Sequence, residues 1–372
     1  MKQGWEYKKL DSCAYIEYGT RVVQKKDGGT IYPVYGGGGE TFRIDRFNRE
    51  DCLIVARFAM SPLCVRYVKG KFFLNDSGLS VKAGKELYQS YLNHHIKSLN
   101  DKIYNLGKGA AQRNLDVKSF KNLQIGIPPK STQLSIVSEL DKINELIRLK
   151  KEQLKDYDNL AQSIFYEMFG DPVENEKGWE VKELGQLCEV TSSKRVFINE
   201  VVDAGVPFIR GTELTALNKL VPGEKMHYTL FITQEHYERL KAITGVPKVG
   251  DLLIPSINAD GIVWMVDTEE PLYFKDGRVL WIHVNHNHFN SIAIQKLMNI
   301  LIKNIYASMG GATFAELKLF VLRNMKVPVP PLSIQDAFAE KIKRIDIQKL
   351  QVKKSITDLE TLLASRMQYW FE

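Results

Sequence analysis

The chain has 372 residues, of which 44% are hydrophobic and 26% are charged, a composition typical of globular proteins. No apolar run approaches the roughly 18 residues that cross a bilayer, and the N-terminus lacks the apolar core of a signal peptide. We therefore expect a cytoplasmic protein without a membrane segment. The four cysteines lack CxxC spacing, which argues against a zinc site or a disulfide framework.

The net charge of +7 is unevenly distributed along the chain. Residues 1–130 contain 22 Lys and Arg against 12 Asp and Glu, whereas residues 171–330 contain 17 against 19. A basic domain suits a polyanionic partner, because Lys and Arg displace the counterions of phosphate groups. An ordinary basic surface is the alternative interpretation.

The beginning and the end of a large domain occur twice. Residues 4–10 (GWEYKKL) return as residues 178–184 (GWEVKEL), and residues 104–129 align without a gap on residues 306–331. The second copy carries roughly 28 extra residues where the first has residues 34–51. A period near 200 residues far exceeds the roughly 20 to 50 residues of a solenoid unit, so the chain is a tandem of whole domains.

A long helix is predicted after each copy. Residues 133–169 contain neither Pro nor Gly, and their apolar residues follow a 4-3 alternation, at Ile136, Leu140, Ile143, Ile147, Leu154, Tyr157, Ala161, Ile164 and Met168. The C-terminal segment keeps the same phase, at Phe338, Ile342, Ile345, Val352, Ile356, Leu359, Leu363 and Trp370. This pattern predicts a coiled coil, and two separate amphipathic helices are the alternative.

The two helices should pair antiparallel, because a domain of about 160 residues separates them. The alternation is interrupted by Lys150, Lys349 and Arg366, and a single Lys in each seam would help to fix the register. The predicted fold class is α+β, with two tandem globular domains, each built on a curved mixed sheet, and two long helices that form an antiparallel coiled coil. The predicted boundaries are residues 1–130 and 171–332 for the domains and residues 131–170 and 333–372 for the helices.

No catalytic or metal site is predicted. Neither Pro-Pro pair has the Asn/Asp-Pro-Pro-aromatic context of an adenine methyltransferase, and a phosphate-binding GxxxxGK[ST] loop is missing. Residues 36–39 are four glycines without a following Lys, which favours a flexible turn. The spacing His283-x-x-His286-x-His288 has no acidic or Cys partner nearby. Asp51, Asp76, Asp251 and Asp276 flank strand-like runs, which favours turn or capping roles.

The order of domain, long helix, domain and long helix resembles the specificity (S) subunit of type I restriction-modification systems. In that family each target recognition domain opens with a Gly-Trp-like stretch before a Leu, as in residues 5–10 and 179–184. It closes with a Gly-rich run that leads into Ile-Pro-x-Pro-Pro-Leu-x-x-Gln, similar to residues 107–133 and 309–335. The first copy departs from this pattern at residues 126–130 (GIPPK), and residues 313–316 (TFAE) replace residues 111–114 (AQRN) in the second.

The resemblance implies a non-catalytic subunit in which each recognition domain reads one half of an asymmetric bipartite site in double-stranded DNA. The paired helices would set the spacing and dock two modification subunits, which methylate adenine with S-adenosylmethionine. This chain itself would carry no cofactor, and restriction subunits could join the complex. Two other interpretations stay open, which are a coiled-coil scaffold that does not bind DNA and an unrecognised bilobed enzyme that acts on nucleic acid.

The candidate DNA-contacting residues are basic or amide side chains in loops between strand-like runs. Arg reads guanine edges and Asn or Gln reads adenine edges, whereas Lys mostly contacts phosphate. In the first copy these candidates are Arg21, Lys25, Lys26, Arg43, Arg46, Arg57, Lys108, Gln112, Arg113 and Asn114. In the second copy they are Lys194, Arg195, Arg210, Thr212, Asn258 and Arg278. The inserted stretch, including residues 199–245, is expected to carry part of the second copy's distinct specificity.

Overall fold

The computed structural model describes residues 2–109, 112–218, 220, 226–308 and 316–372. Its contacts divide the chain into two units, Met1–Lys150 with Ser355–Glu372 and Lys151–Lys354. Each unit contains one copy of the repeat together with a part of each long helix.

The first copy is a mixed sheet with short helices. Its strands are β1 (Glu6–Lys9), β2 (Ala14–Tyr18), β3 (Tyr32–Tyr35), β4 (Glu40–Ile44), β5 (Arg49–Ala56), β6 (Val65–Leu74), β7 (Gly78–Ala83), β8 (Gly107–Lys108), β9 (Asn114–Leu115) and β10 (Gln124–Ile127). Its helices are α1 (Leu10–Cys13), α2 (Gln24–Asp27), α3 (Gln89–Ser98), α4 (Asn100–Asn105) and α5 (Val117–Lys121), followed by the long helix α6 (Lys130–Phe169).

The second copy has the same general make-up. Its strands are β11 (Glu180–Glu183), β12 (Glu189–Ser192), β13 (Val206–Ile209), β14 (Phe231–Ile232), β15 (Leu252–Pro255), β16 (Trp264–Met265), β17 (Tyr273–Phe274), β18 (Val279–His283) and β19 (Lys326–Val329). Its helices are α7 (Leu184–Leu187), a 3-10 turn (Ile198–Glu200), α8 (Gly211–Leu217), α9 (Gln234–Thr244), α10 (Ser291–Ser308) and α11 (Leu319–Arg323), followed by the long helix α12 (Leu332–Phe371).

The repeated sequence ends of each copy pair with each other. Strand β1 runs antiparallel to β10, with Glu6 opposite Ile127, and β11 runs antiparallel to β19, with Glu180 opposite Val329. The two ends of a domain therefore meet in one two-stranded ladder. This pairing explains why both ends, rather than either one alone, match between the copies.

The central sheets have the same strand order. The first copy orders its six strands β2-β7-β5-β6-β3-β4, and the second orders four of its strands β12-β18-β15-β16. In both copies one further strand is joined by parallel pairing. Strand β3 pairs in parallel with the end of β6, and strand β13 pairs in parallel with β17. The equivalence of β3 with β13 and of β4 with β14 follows from their shared antiparallel pairing.

The extra residues of the second copy lie around β14. Four residues separate β3 from β4, whereas α8 and a longer connection separate β13 from β14, and α9 follows before β15. This region has a hydrophobic core of its own, made of Val196, Val206, Phe208, Ile232, Tyr237, Leu240 and Tyr273. The insertion thus replaces the loop that holds the four glycines in the first copy.

The seams of the long helices are buried. In the first unit Ile136 and Leu140 of α6 are fully buried, and they share a core with Leu363, Met367 and Trp370 of α12. In the second unit Phe338 and Ile342 of α12 share a core with Tyr157, Ala161, Ile164, Phe165 and Phe169 of α6. The early part of one helix thus packs on the late part of the other in both units, and the predicted α+β fold with an antiparallel helix pair is confirmed.

Two of the polar residues in the seams bind the other helix. In the first unit the guanidinium of Arg366 donates to the carboxylate of Glu139, which also accepts from Trp370 Nε1 at 3.0 Å. In the second unit Lys349 Nζ lies 2.6 Å from the carboxylate of Asp158. Specific partners of this kind favour one register of the pair over slipped ones. None of the described helices is both long and apolar enough to cross a membrane.

A buried glutamine joins each long helix to its own domain. The Gln133 amide donates to the carbonyls of Pro128 and Glu86 and accepts from the Tyr88 N–H, at 2.9 to 3.0 Å. Gln335 repeats this pattern 202 residues later, with bonds to Pro330, His288 and Asn290. Both glutamines are at most 1% exposed. The repeated Pro-Pro-x-Ser-x-Gln motif therefore fastens the first turn of a helix to the loop before α3 or α10.

Candidate nucleic-acid interface

Several loops of the first copy meet at one edge of its sheet, which we call the first rim. It comprises residues 18–20, 36–39, 57–61 and 75–77, Arg66 of β6 and the β8–β9 hairpin. The loop that follows β5 is its centre. Gly37 lies so close to this loop that a Cβ atom there would be 2.0 Å from the Phe58 carbonyl oxygen, so only glycine fits.

Arg57 begins the central loop of the first rim, directly after β5. Its guanidinium lies 4.9 Å from the ring centre of Tyr18 and 4.2 Å from that of Phe58. One N–H donates to the carbonyl of Asp76 at 3.2 Å. Both rings are partly exposed, at 49% and 37%. A planar cation held between exposed aromatic rings combines the two features that bind nucleic acid, charge and a stacking surface.

Four further candidates belong to the same rim through the β8–β9 hairpin. The Met60 N–H donates to the Arg113 carbonyl at 2.9 Å, and the Ala59 N–H donates to the Asn114 side chain at 3.3 Å. Lys108 pairs with Asp116 at 2.6 Å, and this bond, supported by the Ser119 N–H, lowers the pKa of Asp116 to about 2. Gln112 is also on this hairpin and is exposed. The structure therefore brings Arg57, Lys108, Gln112, Arg113 and Asn114 to one place.

The remaining candidates of the first copy form a second group near α2 and β4. Arg46 pairs with Asp27 at 3.0 Å, and Arg43 lies 3.5 Å from Glu40. The side chains of Arg21, Lys25 and Lys26 are exposed to solvent. Asp27 and Glu40, the partners of Arg46 and Arg43, lie within this second group. These ion pairs therefore do not connect the group to Arg57 and the central loop of the first rim.

The second copy has an equivalent edge, which we call the second rim. It comprises residues 192–197, 210–213, 256–262, 275–278 and 316–318. The match is anchored by backbone hydrogen bonds, because the Leu115 N–H donates to the carbonyl of Arg57 and the Leu317 N–H donates to that of Ser256. The repeat also aligns residues 309–315 with the β8–β9 hairpin, but these lie outside the described residues.

Two arginines of the second rim are held by carboxylates. Arg195 lies 3.1 Å from Asp276, and Arg278 lies 3.3 Å from Glu316, which also accepts from Lys318. The pKa of Glu316 is lowered by its hydrogen bond from Lys318, against the effect of burial, with a smaller contribution from Arg278.

Arg210 and Thr212 surround a single glutamate at the start of α8. The Arg210 guanidinium binds Glu213 through two N–H groups, at 2.6 and 3.1 Å, and the Thr212 hydroxyl donates at 2.9 Å. Burial opposes ionisation of Glu213, but these hydrogen bonds hold its pKa down at about 2. By strand equivalence this group occupies the place of the four glycines in the first copy. Lys194, next to β12, has an exposed side chain while its N–H donates to the Tyr273 hydroxyl.

Asn258 is not retained as a DNA-contacting candidate. It is 3% exposed, and its amide group both donates to the carbonyl of Ile262 at 2.7 Å and accepts from the Ile262 N–H at 2.6 Å. Its side chain therefore closes a tight loop after β15. Asp251 has the predicted turn role, because its carboxylate accepts from the N–H groups of Lys248 and Val284 and from Trp281 Nε1.

Three residues of the first rim were not among the sequence candidates. Tyr18 and Phe58 hold Arg57, and Arg66 donates to the carbonyl of Gly37 at 3.2 Å and to the Ser61 hydroxyl at 3.2 Å. Alternation within a strand does not distinguish such a rim residue from an ordinary polar face, so no sequence signal marked Arg66. Within the described part of the chain, no group of three or more His, Cys, Asp or Glu could hold a metal ion.

Comparison with known proteins accounts for the duplicated architecture. The family model described as "Type I restriction modification DNA specificity domain" matches residues 2–156 and again residues 176–361. The chain belongs to this family. It is a type I restriction-modification specificity subunit, and it has no catalytic role of its own, because S-adenosylmethionine is bound by the modification subunit.

Individual specificity subunits are similar over most of their length. The MjaVIII specificity subunit of Methanocaldococcus jannaschii is 24% identical, with 79% of this chain and 75% of that protein covered. The protein named "Putative type I restriction enzyme specificity subunit S.HindORF215P" from Haemophilus influenzae is 25% identical, with 89% of this chain and 84% of that protein covered. The crystal structure of an S subunit from M. genitalium has the same fold, with a TM-score of 0.57, 18% identity and coverage of 100% and 98%.

Proposed function

We propose that this specificity subunit reads an asymmetric bipartite site in double-stranded DNA, with one half-site for each recognition domain. The proposed domains are residues 1–130 and 171–332, and the proposed spacer helices are residues 131–170 and 333–372. The observation that carries the proposal is the pair of equivalent rims on the same sheet framework, which bear different side chains. One scaffold with two different binding edges is suited to two different short sequences.

The differences between the rims support unlike half-sites. The first rim presents Arg57 between two aromatic rings, whereas the second has the buried Ser256 at the equivalent position. The first has four glycines between β3 and β4, whereas the second has α8 with Arg210 bound to Glu213. Because base edges are read by side-chain donors and acceptors, unlike side chains favour unlike base sequences.

The paired helices are proposed to set the distance between the half-sites and to dock two modification subunits. Each long helix has 40 residues, which corresponds to about 60 Å at 1.5 Å per residue. B-DNA advances about 34 to 36 Å per turn, so helices of this length suit half-sites between one and two turns apart. Restriction subunits are proposed to join the same complex, which would act in the cytoplasm on cellular or invading DNA.

The proposal is tested by mapping methylated adenines in cells that carry this protein and its genomic neighbours. We expect one asymmetric bipartite motif to be methylated and to lose methylation when this chain alone is deleted. Reintroduction of the chain on a plasmid should restore the motif. Unchanged methylation after deletion, with the modification subunit still expressed, would contradict the proposal.

Two measurements on purified protein separate the remaining interpretations. A scaffold that does not bind DNA predicts that the purified complex shows no preference among DNA duplexes. A bilobed enzyme predicts that the purified chain converts a nucleic-acid substrate without any partner. No specific observation in the structure favours either of these functions.

A further inference from the structure

Three arginines of the first rim lie next to one loop without a carboxylate partner. Arg57, Arg66 and Arg113 are all partly buried, and none of them forms an ion pair within the part of the chain that the structure describes. Instead, each guanidinium donates one N–H at 3.2 Å to a backbone carbonyl, namely that of Asp76, Gly37 and Tyr104 respectively. Three half-buried cations around one loop therefore have backbone carbonyls as partners in place of carboxylates.

The three residues are all joined to the central loop of the first rim, residues 57–61, Arg66 through its side chain and Arg113 through its backbone. Arg57 is its first residue, Arg66 donates to the Ser61 hydroxyl, and the Arg113 carbonyl accepts the Met60 N–H. Aromatic rings fix two of the three, because Arg57 lies over Tyr18 and Phe58, and Arg113 lies 4.7 Å from the ring centre of Tyr104. The cations are therefore held in place before any ligand arrives.

The second rim differs in that its arginines are paired with carboxylates. The residue equivalent to Arg57 is Ser256, which is 1% exposed, and the residue aligned with Asn114 is Glu316. Arg195, Arg210 and Arg278 each lie within 3.3 Å of a carboxylate oxygen. A cation that already has a carboxylate partner releases little extra counterion from DNA unless that pair opens.

We propose that the two recognition domains bind unequally, with the first as a salt-dependent anchor and the second with rim arginines that are already paired with carboxylates. In the first domain Arg57, Arg66 and Arg113 form a binding site for DNA phosphates. This inference rests on the proposed DNA recognition and specifies how each rim contributes. Neutralising Z phosphates gives a slope of log K against log salt of about −0.9 Z, so three arginines contribute about −2.7.

The test measures this slope for the assembled complex of specificity and modification subunits. The duplexes carry both half-sites, the first half-site with the second scrambled, or the second with the first scrambled. We expect a steeper slope on the first half-site alone than on the second alone. If the wild-type complex shows no preference for any duplex, the proposed function fails, and this outcome is distinct from equal slopes on the two halves, which overturns only the unequal binding.

Variants assign the slope to the three arginines. Replacing them together (Arg57→Gln, Arg66→Gln and Arg113→Gln) should make the negative slope on the first half-site shallower by about 2.7. The three Arg→Lys replacements should leave the slope close to that of the wild type. Binding to the second half-site in the same complex reports whether the variant is folded. A slope that stays unchanged while the base preference relaxes would overturn the proposal, because the arginines would then read bases rather than hold phosphates.

The matched control removes charge pairs from the second rim. The quadruple change Arg195→Gln, Asp276→Asn, Arg278→Gln and Glu316→Gln removes two cations and two anions together. If those cations remain paired when DNA is bound, the slope on the second half-site changes by less than about 1. A fall of about 1.8, the full value for two phosphate-binding cations, would show that both domains act as electrostatic anchors and would contradict the unequal roles.

Discussion

His95 is a titratable side chain enclosed within the first unit. It is 3% exposed, and its ring stacks on Phe371 with 4.7 Å between ring centres, beside Tyr91. Burial lowers the pKa of this histidine to about 3, with a small further contribution from the charge of Lys2. The folded protein therefore holds His95 neutral through the whole mildly acidic range.

This burial predicts a loss of stability in acid. Between about pH 6.5 and pH 3 the unfolded chain binds a proton at this residue that the folded chain excludes, so stability falls as the pH falls. One such proton contributes a slope of about 1.4 kcal/mol per pH unit. His95→Phe should remove that slope, as measured by urea unfolding at pH 4 to 7. The exposed His227→Phe is the control, and equal slopes in His95→Phe and wild type would contradict the expected effect of burial.

At the residue scale the sequence indicated types of side chain better than their roles. Arg57, Arg113 and Asn114 were predicted as candidates, and they do lie together on the first rim. Asn258 was also predicted, yet both groups of its amide form hydrogen bonds with the backbone of Ile262. An Asn that follows a strand can bind nearby backbone groups as readily as a ligand. The contact of Arg57 with Tyr18 joins residues 39 apart in the chain, which no local sequence pattern reveals.

At the element scale the same glutamine contacts occur twice, and they join each long helix to a domain. The buried side-chain amides of Gln133 and Gln335 each form hydrogen bonds with two backbone carbonyls and one backbone N–H. An apolar side chain of similar length would leave those groups unpaired, and each buried unpaired group costs about 1 to 3 kcal/mol.

We therefore expect Gln133→Met and Gln335→Met each to lower the free energy of unfolding by about 3 kcal/mol. Chemical denaturation followed by circular dichroism measures the change. Gln186→Met, on an exposed turn of α7, is the matched control and should change stability by less than about 0.5 kcal/mol. A loss below about 1 kcal/mol in both buried variants would mean that the glutamines do not fasten the helices.

The long helices were the elements that sequence predicted best, because a 4-3 alternation of apolar residues over five heptads is specific to helices that pair along one seam. The strand equivalences in the middle of each copy were harder to predict from the sequence. The equivalence of β13 with β3 depends on parallel pairing with a strand that comes roughly 40 to 65 residues later, and the insertion obscures the alignment. The repeated segments at the beginning and end of each copy were recognisable because they pair with each other in both copies.

At the scale of the whole molecule the proposed recognition depends on two unlike binding edges and a spacer of defined length. The register of the spacer is supported in both units, by Glu139 with Arg366 in one and Asp158 with Lys349 in the other. The sum of the two residue numbers is nearly the same for both pairs. A helix pair in constant register can be shortened by whole heptads without moving its seam.

The most direct test of the central claim is therefore a paired heptad deletion. Residues 148–154 and residues 351–357 are removed together, which takes seven residues from each helix and keeps the seam in phase. The purified complex then selects duplexes from a pool with randomised half-sites and spacers, and the bound DNA is sequenced. The matched opposite change duplicates the same two heptads.

The spacer should change while the half-sites stay the same. Seven residues correspond to about 10 Å of helix, or about 3 base pairs of B-DNA, so the deletion should shorten the preferred spacer by about 3 base pairs and the duplication should lengthen it equally. An unchanged spacer in both variants, with both half-sites still selected, would contradict the claim that the paired helices measure the distance between two half-sites.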